Sequence, residues 1–144
     1  MKVSTKGRYA LRLMMELALS NQDRPVRIRE IAEKQTISDK YLEQIISVLN
    51  KAGFVRSIRG PQGGYLLTRE PKDYTVGDIL RLTEGSLAPV DCADENVFAC
   101  PRVEQCATHI IWKRMNDAIN EVVDGITLED VKNWQVACNG DYCI

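Results

Sequence analysis

The sequence predicts a mainly α fold with a small β-hairpin wing: a winged helix-turn-helix followed by one long helix with apolar surface to spare. Three observations carry this expectation. Segments of helical period fill the chain up to Gly53, a glycine-rich reversal at Gly60-Pro61-Gln62-Gly63-Gly64 separates two short extended runs, and an apolar stripe then recurs from Ile111 to Val123.

Ala10, Leu13, Met14, Leu17 and Ala18 repeat at helical spacing while Arg8, Arg12 and Glu16 fall off the stripe, giving a first helix from about Lys6 to Ser20. Arg24-Pro25 breaks it, and Ile28, Ile31 and Ala32 mark a short second helix. Gln35-Thr36-Ile37 is a brief turn, after which Ser38 is placed to cap a third helix. Leu42, Ile45, Ile46 and Leu49 must face inward, and Gly53 closes the helix. Lys40, Glu43, Gln44, Ser47 and Lys51 then form an outward row of polar side chains, the form of a helix that reads a groove. Phe54 to Arg59 and Tyr65 to Thr68 make the hairpin.

Thr75-Val-Gly-Asp78 has the pattern of a capping box opening a helix that runs through Glu84 and stops at Gly85. Ser86 to Pro101 has no period and is expected to be a loop. From about Arg102 to Asp124, Ile111, Met115, Ala118, Ile119, Val122 and Val123 form one stripe on a helix ~35 Å long, more than one small domain needs to cover its core. Its spare face suggests a partner helix. Thr127-Leu-Glu-Asp130 caps a last short helix, and a poorly ordered tail follows from Gln135. The expected organisation is therefore a DNA-binding unit at 1–85, a cysteine-bearing loop at 86–101, the long and short helices at 102–134, and a tail at 135–144.

The 144 residues are 44% apolar and 27% charged, an ordinary globular composition that excludes collagen-like, low-complexity and wholly disordered chains. No apolar run approaches the ~18 residues a bilayer span requires, and the start lacks an apolar signal region, so the expected location is the cytoplasm, with no membrane contact. Charge is divided unevenly. Residues 1–72 hold 14 Lys/Arg against 7 Asp/Glu, whereas residues 73–144 hold 5 against 13. A basic half suits a polyanion partner, although uneven surface charge alone would give the same count.

Phosphate contacts would come from Lys2, Lys6, Arg8 and Lys51. Lys40 could donate to guanine, Gln44 could pair with adenine, and Ser38 and Tyr41 could meet bases or phosphates. Glu43 is the informative residue, because phosphates repel an acid unless it accepts from cytosine N4. The alternative is a solvated helix face with Glu43 paired at i, i+4 to Ser47 or its neighbours. Arg59 opens the wing turn, where an arginine can enter a narrow minor groove or simply meet a phosphate.

All five cysteines lie in the acidic half, at 92, 100, 106, 138 and 143. An odd count without a secretory signal favours metal binding or redox sensing over a disulfide framework.

The runs Lys2-Val-Ser-Thr-Lys-Gly-Arg-Tyr-Ala10, Tyr41-Leu-Glu-Gln44, the wing Ser57-Ile-Arg-Gly-Pro-Gln-Gly-Gly-Tyr65 and Thr127-Leu-Glu-Asp-Val131 resemble the Rrf2 family of bacterial transcription regulators over nearly the whole chain. The resemblance implies a homodimer of winged helices joined through the long helix, acting on double-stranded operator DNA. Cys92, Cys100, Cys106 and His109, followed by Trp112, resemble the ligand set of the family's iron–sulfur regulators, implying a 2Fe-2S cluster. The seven-residue gap between the first two cysteines is wider than in those relatives, and Cys138 and Cys143 are additional.

The chemistry of the residues is compatible with that implication. In the pattern C-x7-C-x5-C-x2-H, His109 is the chain's one histidine, and Cys106 and His109 are three apart at the start of the long helix, so both can lie on one face. Thiolates suit iron–sulfur centres and zinc, and imidazole can replace a thiolate on one iron. A lone histidine is otherwise a capped or surface side chain. Zinc remains a competitor, since three cysteines and a histidine also make a closed tetrahedral site. The wide loop modestly favours the larger cluster, and an air-exposed preparation could hold neither. Cys138 and Cys143 read as tail thiols. The terminal Ile144 resembles that of cysteine-metabolism repressors in the family, implying O-acetylserine sulfhydrylase as a further partner. A small electron carrier or redox enzyme is disfavoured by the outward polar helix and by the absence of a nucleotide fingerprint.

Overall fold

A computed structural model describes residues 2–20, 22–97 and 100–140. Among them, six α-helices and one antiparallel hairpin follow in the order α1 (Thr5–Leu19), α2 (Ile28–Gln35), α3 (Asp39–Lys51), β1 (Val55–Ile58), β2 (Gly64–Leu67), α4 (Val76–Glu84), α5 (Ala107–Gly125) and α6 (Leu128–Asn139).

Helix α1 is the centre of the core. Its stripe buries Ala10, Leu13, Met14 and Leu17 against α3, α4 and α6, where Leu42, Leu49, Ile79 and Leu128 have no exposed surface, as has Tyr74 just ahead of α4. Each such apolar side chain stabilises by about 1.5–3 kcal/mol relative to leaving it in water. The helix-turn-helix turn is made at Thr36, a residue in the left-handed region (φ 56°), after which Ser38 caps α3 by accepting the Tyr41 N–H at 3.3 Å. The four inward positions of α3 are all buried, as the periodicity requires.

The wing pairs Val55 with Leu67 and Ile58 with Gly64. Val26, ahead of α2, extends it by one bridge: its N–H donates to Tyr65 O at 3.0 Å and its carbonyl accepts from Tyr65 N at 2.8 Å. Gly64 (φ 147°) is required there, because a Cβ would run into the Val26 backbone. Arg27 also donates to the Pro61 carbonyl, tying the start of α2 to the wing turn.

Two boundaries differ from the sequence reading. The long helix begins at Ala107 rather than near Arg102, because a 3-10 turn over Val103–Gln105 precedes it and Cys106 has extended backbone as its N-cap. At 19 residues it is ~28 Å long instead of ~35 Å. The last helix continues to Asn139 rather than stopping before a tail at Gln135, with the Gln135 amide donating to Asn139 Oδ1 at 2.9 Å. Its first turn also joins the same core as the wing domain. The capping residues Thr75 and Thr127 form a bridge, Val76 N donates to Ile126 O at 2.9 Å and Leu128 N donates to Tyr74 O at 2.9 Å.

Candidate nucleic-acid interface and cysteine loop

Amphipathicity fixes which face of α3 is free. With Leu42, Ile45, Ile46 and Leu49 inside, Lys40, Glu43, Gln44, Ser47 and Lys51 are all exposed. Among the described residues Glu43 makes no hydrogen bond or ion pair, so the expected alternative of a Glu43–Ser47 pairing is not formed; the carboxylate stands free in a row of donors. Ser38 is exposed but its hydroxyl is engaged as the cap. Tyr41 is half-buried and meets the edge of Tyr9, with ring centres 5.7 Å apart.

A polar network behind Tyr41 escaped the sequence reading. Arg12 lies over the Tyr9 ring at 5.3 Å and donates to the Gln35 side chain at 2.7 Å and to its carbonyl at 2.6 Å. Gln35 in turn donates to the buried Glu16 at 2.5 Å. The turn before α3 is therefore held by groups one helical turn apart on α1, and the i, i+4 spacing of Arg12 and Glu16 was the available signal.

At the N-terminus Lys2 and Arg8 are exposed and Lys6 is half-buried; Arg8 donates to Thr5 Oγ1 at 3.2 Å. On the wing, Ser57 is exposed opposite Tyr65 and Arg59 is exposed beside the glycine turn.

The cysteine loop brings its predicted residues together only in part. Cys92, in a 3-10 turn over Asp91–Ala93, shares a cleft of about 210 Å³ with Val97, Val103, His109 and Lys113. His109 is the third residue of α5; its backbone N–H donates to Cys106 O at 3.2 Å, and its ring Nδ1 is buried with no hydrogen-bond partner. Such a nitrogen costs about 1–3 kcal/mol unless something supplies a contact. The Cys106 thiol is held below its usual range by the Thr108 hydroxyl, 3.2 Å away, then by the His109 N–H. Cys100 is exposed and does not line the cleft. Among the described residues no three His, Cys, Asp or Glu side chains are gathered as a metal ion would need. Cys138 is exposed on α6, while Cys143 and Ile144 lie outside the described residues.

Along α5, Ile110, Ile111, Met115 and Val122 are 61%, 50%, 42% and 59% exposed, an apolar face that one chain leaves in water. No helix among the described residues is long and apolar enough to cross a membrane.

A free polar row on the second helix of a helix-turn-helix, followed by a glycine-turned wing, is the architecture of a winged helix-turn-helix DNA-binding protein. The chain belongs to the Rrf2 family, whose profile, described as iron-dependent transcriptional regulator, matches residues 3–133. It is 43% identical over 134 residues to the HTH-type transcriptional regulator CymR of Bacillus subtilis, covering 93% of this chain and 91% of that one. It is 38% identical over 139 residues to the HTH-type transcriptional regulator IscR of Pectobacterium atrosepticum, covering 96% and 84%. Among solved structures, that of B. subtilis CymR, titled the global cysteine regulator, superposes with a TM-score of 0.80 at 42% identity, covering 93% of this chain and 98% of that one. T. potens IscR gives 0.73 at 46% identity, covering 91% and 85%.

Proposed function

We propose that this regulator is a homodimer whose operator affinity depends on a 2Fe-2S cluster held by Cys92, Cys100, Cys106 and His109. The observation that carries the reading is the buried, unpartnered Nδ1 of His109, on a ring that shares its cleft with the Cys92 thiol. The donor chemistry fits: soft sulfurs, one of them already inclined to ionise, and a neutral imidazole. When bound, the cluster supplies a redox-sensitive centre joining the loop to the start of α5. Cys100 and Cys106 lie outside the cleft, so completing the ligand set requires the segment from Cys92 to Cys106 to close over His109. The exposed face of α5 supports pairing of two chains, which sets the distance between two α3 helices against half-sites about one DNA turn, ~34 Å, apart.

On the DNA side, Lys2, Lys6, Arg8 and Lys51 neutralise phosphates, Arg59 enters the minor groove, and Ser38, Lys40, Tyr41, Glu43, Gln44 and Ser57 orient or read the site. The unpaired Glu43 supports discrimination over affinity. With an operator selected from random DNA, Glu43→Ala relaxes the preference at one base pair and leaves the salt slope intact; a uniform loss on every sequence contradicts that role.

A second reading has a specific support: the lowered Cys106 thiol, together with similarity to CymR, the global cysteine regulator of B. subtilis, suits a thiol switch or a structural zinc in control of sulfur metabolism. In that reading Ile144 would engage O-acetylserine sulfhydrylase, and co-purification that survives its deletion counts against the contact. Anaerobic purification separates the two: brown protein with iron and sulfide in equal amounts supports the cluster, and colourless protein containing zinc supports the alternative.

A further inference from the structure

Asn116, Asn120 and Asp124 fall at i, i+4 and i+8 of α5 and make one polar ridge on the side of the helix turned to α4. One end of the ridge touches the cysteine loop: the Asn116 amide donates at 3.1 Å to the carbonyl of buried Ala93, the residue after Cys92. The other end holds the DNA-binding unit. Arg81 of α4 donates to both carboxylate oxygens of Asp124, at 2.6 and 2.9 Å, and to Asn120 Oδ1 at 2.9 Å.

An exposed ion pair alone contributes little. This one is a two-point fork with a third acceptor, which fixes direction as well as distance. It is also built into the packing, since a Cβ at Gly77 would strike both the Asp124 carboxylate and the Arg81 guanidinium. Beyond Arg81, α4 ends at Glu84, which bonds the first turn of α1, and α1 packs on α3. A chain of hydrogen bonds from the residue beside Cys92 to α1, completed by the packing of α1 on α3, thus reaches the DNA-reading helix.

We infer that the ridge Asn116–Asn120–Asp124 is the coupling element of this regulator, transmitting the position of the loop around Cys92 to the winged domain, with Arg81 as the positioning residue that receives it. Its value for sensing rests on the ligand-loop reading above; the mechanical link does not. A rigid helix displaced at Asn116 also displaces Asp124, ~12 Å further along its axis, and the Arg81 fork then carries α4 with it. Coupling of this kind is reciprocal, so a disturbance at either end must be felt at the other.

The test uses the full chain without added metal, reading amide hydrogen exchange and operator affinity together, with thermal melts to confirm folding. Arg81→Lys keeps the charge but cannot make the fork. It is expected to speed exchange at the 3-10 turn Asp91–Ala93 by about 5-fold, although Arg81 does not bond that turn and the turn does not line the cavity that Arg81 shares with Asp94, Glu95 and Asn96, and Asn116→Ala is expected to weaken operator binding by about 5-fold. If Arg81→Lys does not fold, Asp124→Asn carries the same readout. Either remote effect being absent, with changes confined to the neighbourhood of each substitution, overturns the proposal. Because neither measurement involves iron, its failure is distinct from that of the cluster reading, which fails when anaerobic protein contains no iron and sulfide.

Discussion

Glu84 Oε1 accepts the backbone N–H of Gly7 at 3.2 Å, so the last residue of α4 closes the first turn of a helix 77 positions away in sequence. The same oxygen accepts from Ser4 N at 2.9 Å and from its hydroxyl at 2.5 Å, placing a carboxylate on the positive end of α1. Glu84→Ala should lower stability by about 1–2 kcal/mol, seen as a fall in the urea midpoint at unchanged slope. Gly7→Ala should act in the same direction, because its Cβ would occupy the space of the Glu84 carboxylate. Since Lys2, Lys6 and Arg8 surround this turn, both variants should also weaken binding to every DNA sequence alike.

Tyr74 is fully buried and its hydroxyl serves three backbone groups: it donates to Phe54 O at 2.7 Å and accepts from the N–H groups of Thr68 and Arg69, each at 3.1 Å. Tyr74→Phe leaves those groups unsatisfied beside the strand ends of the wing. A loss of about 1–3 kcal/mol in chemical denaturation is expected.

These two residues show why part of the molecule was legible in the sequence and part was not. The inward set of α3, the wing reversal and the capping boxes at Thr75 and Thr127 are written in local spacing, because a helix face or a tight turn is decided within a few residues. Glu84 and Tyr74 act over long separations and carry no local signature. The start of α5 was misplaced for a related reason: the stripe beginning at Ile111 says nothing about the 3-10 turn at Val103–Gln105, which is set by how the loop packs. Likewise the spacing of Cys106 and His109 gives a backbone bond between them, but Cys106 precedes α5 with extended backbone and does not line the cleft that His109 shares with Cys92, and a loop without periodicity gives no rule for the paths of Cys100 and Cys106.

The Arg81 fork makes a pH prediction. Its hydrogen bonds hold the Asp124 carboxyl below the usual carboxylate range, and Asp124 raises Arg81 in return. A depressed carboxylate contributes stability that is present in full above its ordinary range and is lost as pH falls through the lowered value. The stability difference between the native chain and Asp124→Asn should therefore be greatest near neutrality and shrink on acidification. A difference that stays constant from neutral to strongly acidic pH would show that the fork adds nothing.

Ile111, half exposed on α5, tests the pairing of chains. Because it contributes little to the core of one chain, Ile111→Glu should keep the melting temperature of the fold while shifting sedimentation to the monomer and removing the tight binding that two half-sites provide. A dimer that persists would move the interface elsewhere.

The most direct measurement is an anaerobic operator titration of the native chain, before and after removal of iron, beside Cys92→Ala. The account predicts a change in affinity of about 10-fold or more in the native chain and none in the variant. Equal affinity in all three, from protein that had carried iron and sulfide, would contradict it.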